Sequence, residues 1–395
     1  MSFMPVDPDI AALTEELTET RRAIHRHPEL GFREVRTAAL VAQRLRSLGL
    51  AVREGVAQTG VVGLLQGSRS GKTVLLRADM DALPMQEASG AEYASEISGV
   101  MHACGHDAHT SMLLGAARVL TARRDRLAGN VKFVFQPAEE GPGGARPMIE
   151  AGVMQDPSVD VAFGLHLIND FPVGSVGLRP GPVMASMDTL EITVKGRGGH
   201  GALPHQAVDA IVVAAQVVTA LQTIASREIN PTVPVVVSLG TIHGGFRHNV
   251  IAPEVSLTGT VRTFDESLRK TFPERIERIV RQVCRAFRAE AEVRYEFGYP
   301  VTVNDHAMTS FARDIASEVV GAEHVRMMEA MMGSEDMAYF FQAVPGCFLF
   351  LGSSNPAKNL TAPHHSPEFD FDEACLPLGV QLWVRLVERA LETPS

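Results

Sequence analysis

Residues suited to holding a metal ion are gathered in three short segments of this chain, and any fold it adopts has to bring them together. They are Met101-His-Ala-Cys-Gly-His-Asp-Ala-His109, the acidic pair Glu139-Glu140 within FQPAEEGPGG, and His364-His365-Ser366 near the end. Taken singly, each has an ordinary explanation, because a lone Cys is commonly a small buried hydrophobe and a Glu pair a solvated charge. The combination is harder to explain that way. Three histidines at 102, 106 and 109 are dense for a chain with 14 in 395 residues.

Cys104 and His106 supply a thiolate and an imidazole two residues apart, a separation that a tight loop can converge on a borderline-soft ion such as zinc. On a helix the same spacing would put them on nearly opposite faces, so a loop is expected, with Gly105 to allow it. The helix is expected to begin afterwards, with Asp107 capping AHTSMLLGAARVL. Glu139 and Glu140 follow the strand-like NVKFVFQ (130–136), at the end of the strand where open α/β sheets place their ligands. One of the pair can bind metal while the other handles the protons of an activated water. The glycines of GPGG are expected to give this loop freedom. On the strand TVLLRAD (73–79), alternation puts Asp79 and Asp81 on one side; Asp81 is expected to orient a ligand histidine, with capping or turn formation as the plainer reading.

The remaining pattern indicates an α/β protein with a discontinuous catalytic domain. Up to about residue 185, helical runs (37–50, 108–122) alternate with strand-like ones (61–67, 73–79, 130–136, 159–167), as in a layered fold with a buried sheet, and His166 falls near the end of its strand. From 188 to 299 the order becomes βαββαβ, that of a ferredoxin-like unit: strands at 188–195, 234–242, 254–264 and 291–299, with helices at 206–228 and 267–287. Strand 347–352 and a helix around 373–391 then return to the first domain. The expected division is 1–187 with 300–395 for the metal-binding domain, and 188–299 for the insert.

Composition narrows the function. A net charge of −10 without a basic cluster argues against nucleic acid. The four cysteines (104, 284, 347, 375) are too sparse for a disulfide scaffold, and Cys104 is wanted reduced, which fits a cytoplasmic protein. No secretory signal is visible in MSFMPVDPDIAALTEELTET, and no apolar run approaches about twenty residues, so no membrane association is expected. GSRSGKT (67–73) is one residue short of a phosphate-binding loop and reads as a turn between strands.

The ordered motifs RRAIHRHPELGFRE (21–34), LLRADMDALPMQE (75–87), MHACGHDAHT (101–110), FQPAEEGPGGA (135–145), GLHL (164–167), GRGGHGALPH (196–205), HNVIAPE (248–254), GSEDMAYF (333–340) and HSPEF (365–369) span nearly the whole chain. They resemble the M20 metallopeptidase and amidohydrolase family, in the branch of hippurate hydrolases, plant auxin-conjugate hydrolases and bacterial N-acyl-amino-acid deacylases. The resemblance implies two divalent metal ions per subunit (zinc, manganese, cobalt or nickel), held by Cys104, His106, Glu140, His166 and His365. His365 rather than His364 is chosen because the family ligand immediately precedes Ser-Pro-Glu. It further implies Glu139 as general base, His200 as a transition-state stabiliser delivered to the partner subunit, and Asn249 as a substrate contact. His200 and Asn249 also have the plainer readings of a turn His and a capping Asn. The insert is implied to be a lid that dimerises, and the substrate to be a small N-acyl amino acid. A dipeptidase or aminopeptidase of the same family is the nearer alternative; a cysteine amidase using Cys104 is a distant one.

Overall fold

The computed structural model describes residues 6–392, so the first five residues of the N-terminal segment lie outside it. These residues form two compact units. One takes the chain up to Gly181, then Val303–Glu329 and everything from Asp336; the other takes Pro182–Thr302 and Ala330–Glu335.

After a short helical turn at Pro8–Ala11, the first unit has helices α1 (Thr14–Arg26) and α2 (Val35–Ser47), followed by β1 (Ala51–Val56), β2 (Gly60–Gln66) and β3 (Arg69–Asp79). Then come α3 (His106–Ala122), β4 (Ala128–Gln136), β5 (Val161–Pro172) and β6 (Val176–Leu178). From Thr73 to Asp79 every residue of β3 is buried, which explains why this stretch reads as a continuous run rather than an alternation: both faces of a parallel strand are covered. Glu29 holds the start of α2, its carboxylate accepting from the backbone N–H groups of Arg36 and Thr37 at 2.9 Å each.

The second unit contains β7 (Asp188–Lys195), β8 (Gly199–His200), α4 (Ala210–Thr223), β9 (Val235–Gly244), β10 (Val250–Ile251), β11 (Glu254–Thr263), α5 (Phe272–Ala286) and β12 (Glu290–Phe297). Its four-stranded sheet has the order β9-β11-β7-β12, antiparallel throughout, which is the ferredoxin-like arrangement expected from the sequence. Along β7 the residues at 188, 190, 192 and 194 are buried and those between are not, because helices cover only one face. The single helix expected over 267–287 is divided, with Asp265 capping a short turn and α5 beginning again at Phe272-Pro273, where proline suits a first helical turn. By length and composition alone Ala210–Glu228 could cross a membrane. Here Ala210, Val213, Ala214, Val217 and Leu221 of that helix are packed into the unit's own core.

The chain then returns through α6 (His306–Val320), β13 (Val325–Met327), β14 (Gly346–Ser354) and α7 (Leu376–Glu392). The first unit's sheet is β1-β2-β4-β3-β5-β14-β6-β13, and its four central strands, β4, β3, β5 and β14, run parallel. Every residue of β14 is buried. The core contains the fully buried Phe133, Phe163, Phe348, Phe350 and Trp383. The four parallel strands share one C-terminal edge, and this edge is where the ligand-type residues arrive.

Candidate metal centre

β5 runs beyond its neighbour β3, whose last paired residue is Arg77, opposite Gly164. His166 therefore stands in the middle of a twelve-residue strand rather than near its end, but level with the point where β3 finishes at Asp79. Its Nδ1–H donates to the Leu167 carbonyl at 2.5 Å, leaving Nε2 directed elsewhere, 3.5 Å from Cys104 Sγ. Cys104 lies in the loop before α3. Gly105 follows with φ of +88°, a conformation costly for any residue with a side chain, and the helix starts at once with His106. Asp107 thus lies inside the helix instead of capping it. Its carboxylate is drawn to Arg21 Nε and His25 Nδ1, both at 2.8 Å.

Glu139 and Glu140 follow β4 as expected, and Asp81 fixes them. Its Oδ1 accepts the Glu139 N–H and its Oδ2 the Glu140 N–H, each at 3.0 Å. The same residue faces His106 Nδ1, through its carbonyl at 2.9 Å and Oδ1 at 3.3 Å, so His106 turns Nε2 away from it. Of the glycines after Glu140, Gly141 and Gly143 take φ of +119° and +105°, conformations that glycine alone adopts readily, whereas Gly144 serves close packing. A Cβ on Gly144 would lie 1.9 Å from the Pro137 carbonyl oxygen, and the Gly144 N–H donates to the buried Asp336 at 3.0 Å. His365, with φ of +63°, donates its backbone N–H to the Ala103 carbonyl at 2.9 Å, which ties the last segment to the first.

The donor atoms of Cys104, His106 and His166 lie within 4.8 Å of one another; so do those of Cys104, Glu140 and His365, and of His106, Glu139 and Glu140. His106 Nε2 is 4.0 Å from Glu140 Oε1, and His365 Nε2 is 3.0 Å from the same oxygen. His106 Nε2 is buried without a hydrogen-bond partner, a costly state for a group that a cation would satisfy. The electrostatics agree. Burial opposes protonation of His106, yet Asp79, Asp81 and Glu140 outweigh it and push its pKa up to about 10, so the site attracts positive charge. His166 is held well below the usual range, by burial first and then by neighbouring histidines, which keeps it a neutral ligand. Burial, with Glu140 and Glu139 adding to it, raises the Cys104 thiol well above its ordinary value. The residues present thus fit a pair of divalent ions.

His200 and Asn249 lie in the second unit, where β8 and β10 bring them together: His200 pairs with Val250, and the Gly201 N–H donates to the Asn249 carbonyl at 2.8 Å. His200 is exposed, its Nδ1 accepting from the Ala202 N–H at 3.0 Å. The His364 ring packs edge-on against that of His166 with centroids 5.4 Å apart, and its Nε2 accepts from the Asn169 N–H at 3.4 Å.

Sequence reasoning passed over the frame behind the ligands. Arg21 is fully buried and faces Asp107 at 2.8 Å, Asp370 at 3.0 Å and Glu373 at 3.2 Å, with its guanidinium between the rings of Tyr93 and Phe371. Burial pushes the Asp107 carboxyl up, but Arg21 and His25 outweigh it and hold it well below the usual range. That stabilisation is complete above about pH 4, the unfolded value, and is lost as the pH falls towards the folded one. Arg21→Met leaves these carboxylates buried without their cation, and the expected loss in urea titration is about 3–5 kcal/mol; a loss below about 1 kcal/mol would contradict this assignment.

The model of peptidase family M20/M25/M40 matches residues 75–389. Thermostable carboxypeptidase 2 of Saccharolobus solfataricus is 44% identical over 375 residues, covering 94% of each chain. N-acetyl-L-cysteine deacetylase of Bacillus subtilis is 39% identical, covering 93% of this chain and 86% of the relative. Among solved structures, the Bacillus subtilis YXEP protein, described as a dinuclear metal binding peptidase from the M20 family, superposes with a TM-score of 0.84 at 35% identity, covering 97% of this chain and 99% of that one.

Proposed function

We propose, from the premise that this chain belongs to the peptidase M20/M25/M40 family and is a metal-dependent amidohydrolase, that it hydrolyses the amide bond of N-acyl amino acids: hippurate-like, N-acetyl or other acyl conjugates. The observation that carries the reading is the convergence of Cys104, His106, Glu140, His166 and His365 with Glu139 buried beside them. The likeness to a deacetylase of an N-acetyl amino acid supports the substrate class.

These five donors would hold two divalent ions, of zinc, manganese, cobalt or nickel, whose chemistry when bound is to make water acidic and polarise a carbonyl. Glu139 accepts the proton of the attacking water at its carboxylate and passes it to the leaving amine nitrogen. Asp81 keeps Glu139 in reach by holding its backbone. His200, on the insert taken as residues 188–299, acts as a lid residue that stabilises the oxyanion in the partner subunit of a homodimer, and Asn249 holds substrate. A thiol ligand suits a reducing cytoplasm.

A carboxypeptidase or dipeptidase activity is the second reading, favoured by the carboxypeptidase relative. A cysteine amidase is disfavoured, since a nucleophilic thiol needs its pKa lowered whereas that of Cys104 is raised. The test compares N-acetyl, N-benzoyl and indole-acyl amino acids with free dipeptides after loading with each metal. The expected result is a kcat/KM advantage of at least about tenfold for an N-acyl substrate; equal or better cleavage of dipeptides would overturn the proposal.

A further inference from the structure

His109 stands behind the donor cluster with both ring nitrogens engaged. Its Nδ1 is 2.6 Å from Asp79 Oδ1, and its Nε2 lies 2.9 Å from the backbone nitrogen of Leu167. A backbone N–H can only donate, so Nε2 accepts and the ring's hydrogen is on Nδ1, donated to Asp79. The other Asp79 oxygen accepts from Arg77 Nη1 at 2.6 Å, and Arg77 is itself bound to Asp336 at 2.9 Å and Gln136 at 2.9 Å. Arg77, Asp79 and His109 are all buried.

This chain of contacts ends on a place where the sheet lacks a partner. Beyond Gly164, β3 no longer pairs with β5, which keeps β14 on its other side through Leu167 and Leu351; on the side β3 has left, the Leu167 N–H needs another acceptor, since a buried N–H without one is costly. The His109 ring takes the place of the missing strand. Leu167 is also the residue whose carbonyl receives the Nδ1–H of His166, and the rings of His109 and His166 meet with centroids 4.6 Å apart.

The structure assigns His109 as a positioning residue: with Asp79 and Arg77 behind it, it pins residue 167 and thereby fixes the direction in which His166 presents Nε2. This rests on the reading of His166 as a metal ligand.

The test uses His109→Leu and His109→Gln in the full chain, with His166→Ala alongside, and measures metal affinity by chelator competition and hydrogen exchange at the Leu167 amide in metal-free protein. His109→Leu is expected to speed that exchange and to weaken metal binding by about 10–100-fold, with partial recovery in His109→Gln, whose amide can still accept. Should His109→Leu fail to fold, Asp79→Asn gives the same two measurements. Unchanged metal affinity in the folded variant, whatever the exchange rate, would overturn the assignment. If His166→Ala also binds metal normally, it is the ligand reading that fails.

Discussion

Glu139→Ala lowers kcat by about 100- to 10,000-fold, the range for removing a general base, while metal content stays at the wild-type level. The two effects separate because the backbone of Glu139, not its side chain, is what Asp81 holds at 3.0 Å. Removing the carboxylate therefore leaves the loop in place and Glu140 still facing His365 and His106. Glu140→Ala is the contrast, since it takes away the oxygen that two histidines approach, and it should lose both activity and metal. Metal analysis and steady-state kinetics on the two variants decide the matter. Near-normal turnover in Glu139→Ala would remove its role as base, and equal metal loss in both would make it a ligand.

The second large effect is expected on metal removal. A chelator should abolish hydrolysis and lower the melting temperature, and adding back divalent ion should restore both, with full activity reached near two equivalents per chain. The stability change follows from mass action, because an ion that binds only the folded state adds about 2.7 kcal/mol at a hundredfold excess over its dissociation constant. Without cations, a proton on His106 helps to balance Asp79, Asp81 and Glu140, which push its pKa up to about 10, while Arg77 stays paired with Asp79 at 2.6 Å and His365 faces Glu140 at 3.0 Å. Full activity in exhaustively chelated protein would overturn the metal mechanism.

The donor residues stood out in the sequence because a thiol, imidazoles and paired carboxylates cluster there beside turn residues, and the insert was legible because β7 and its neighbours alternate visibly. Three features were not. Asp107 looked like a cap, since only the fold brings Arg21 across to take its carboxylate. Gly144 looked like part of a flexible GPGG run, since its approach to Pro137 is a matter of packing. His109 could not be ranked above an ordinary buried histidine, because its decisive partner is a backbone N–H on a strand 58 residues further on. Side-chain chemistry announces itself in a sequence, whereas the backbone groups that receive it do not.

The position of β14 bears on how the molecule is made. It is wholly buried and lies between β5 and β6, strands that precede it by well over a hundred residues. As the chain leaves the ribosome, its first half must wait with an open slot in the middle of the sheet while the entire second unit is synthesised. The second unit's core draws on residues 190–289 and can form during that delay. The donor cluster cannot, because His365 emerges after β14. The donor set is therefore complete only after the second unit and β14 have been made, and a chain released early lacks a buried strand of its sheet as well as its last donor.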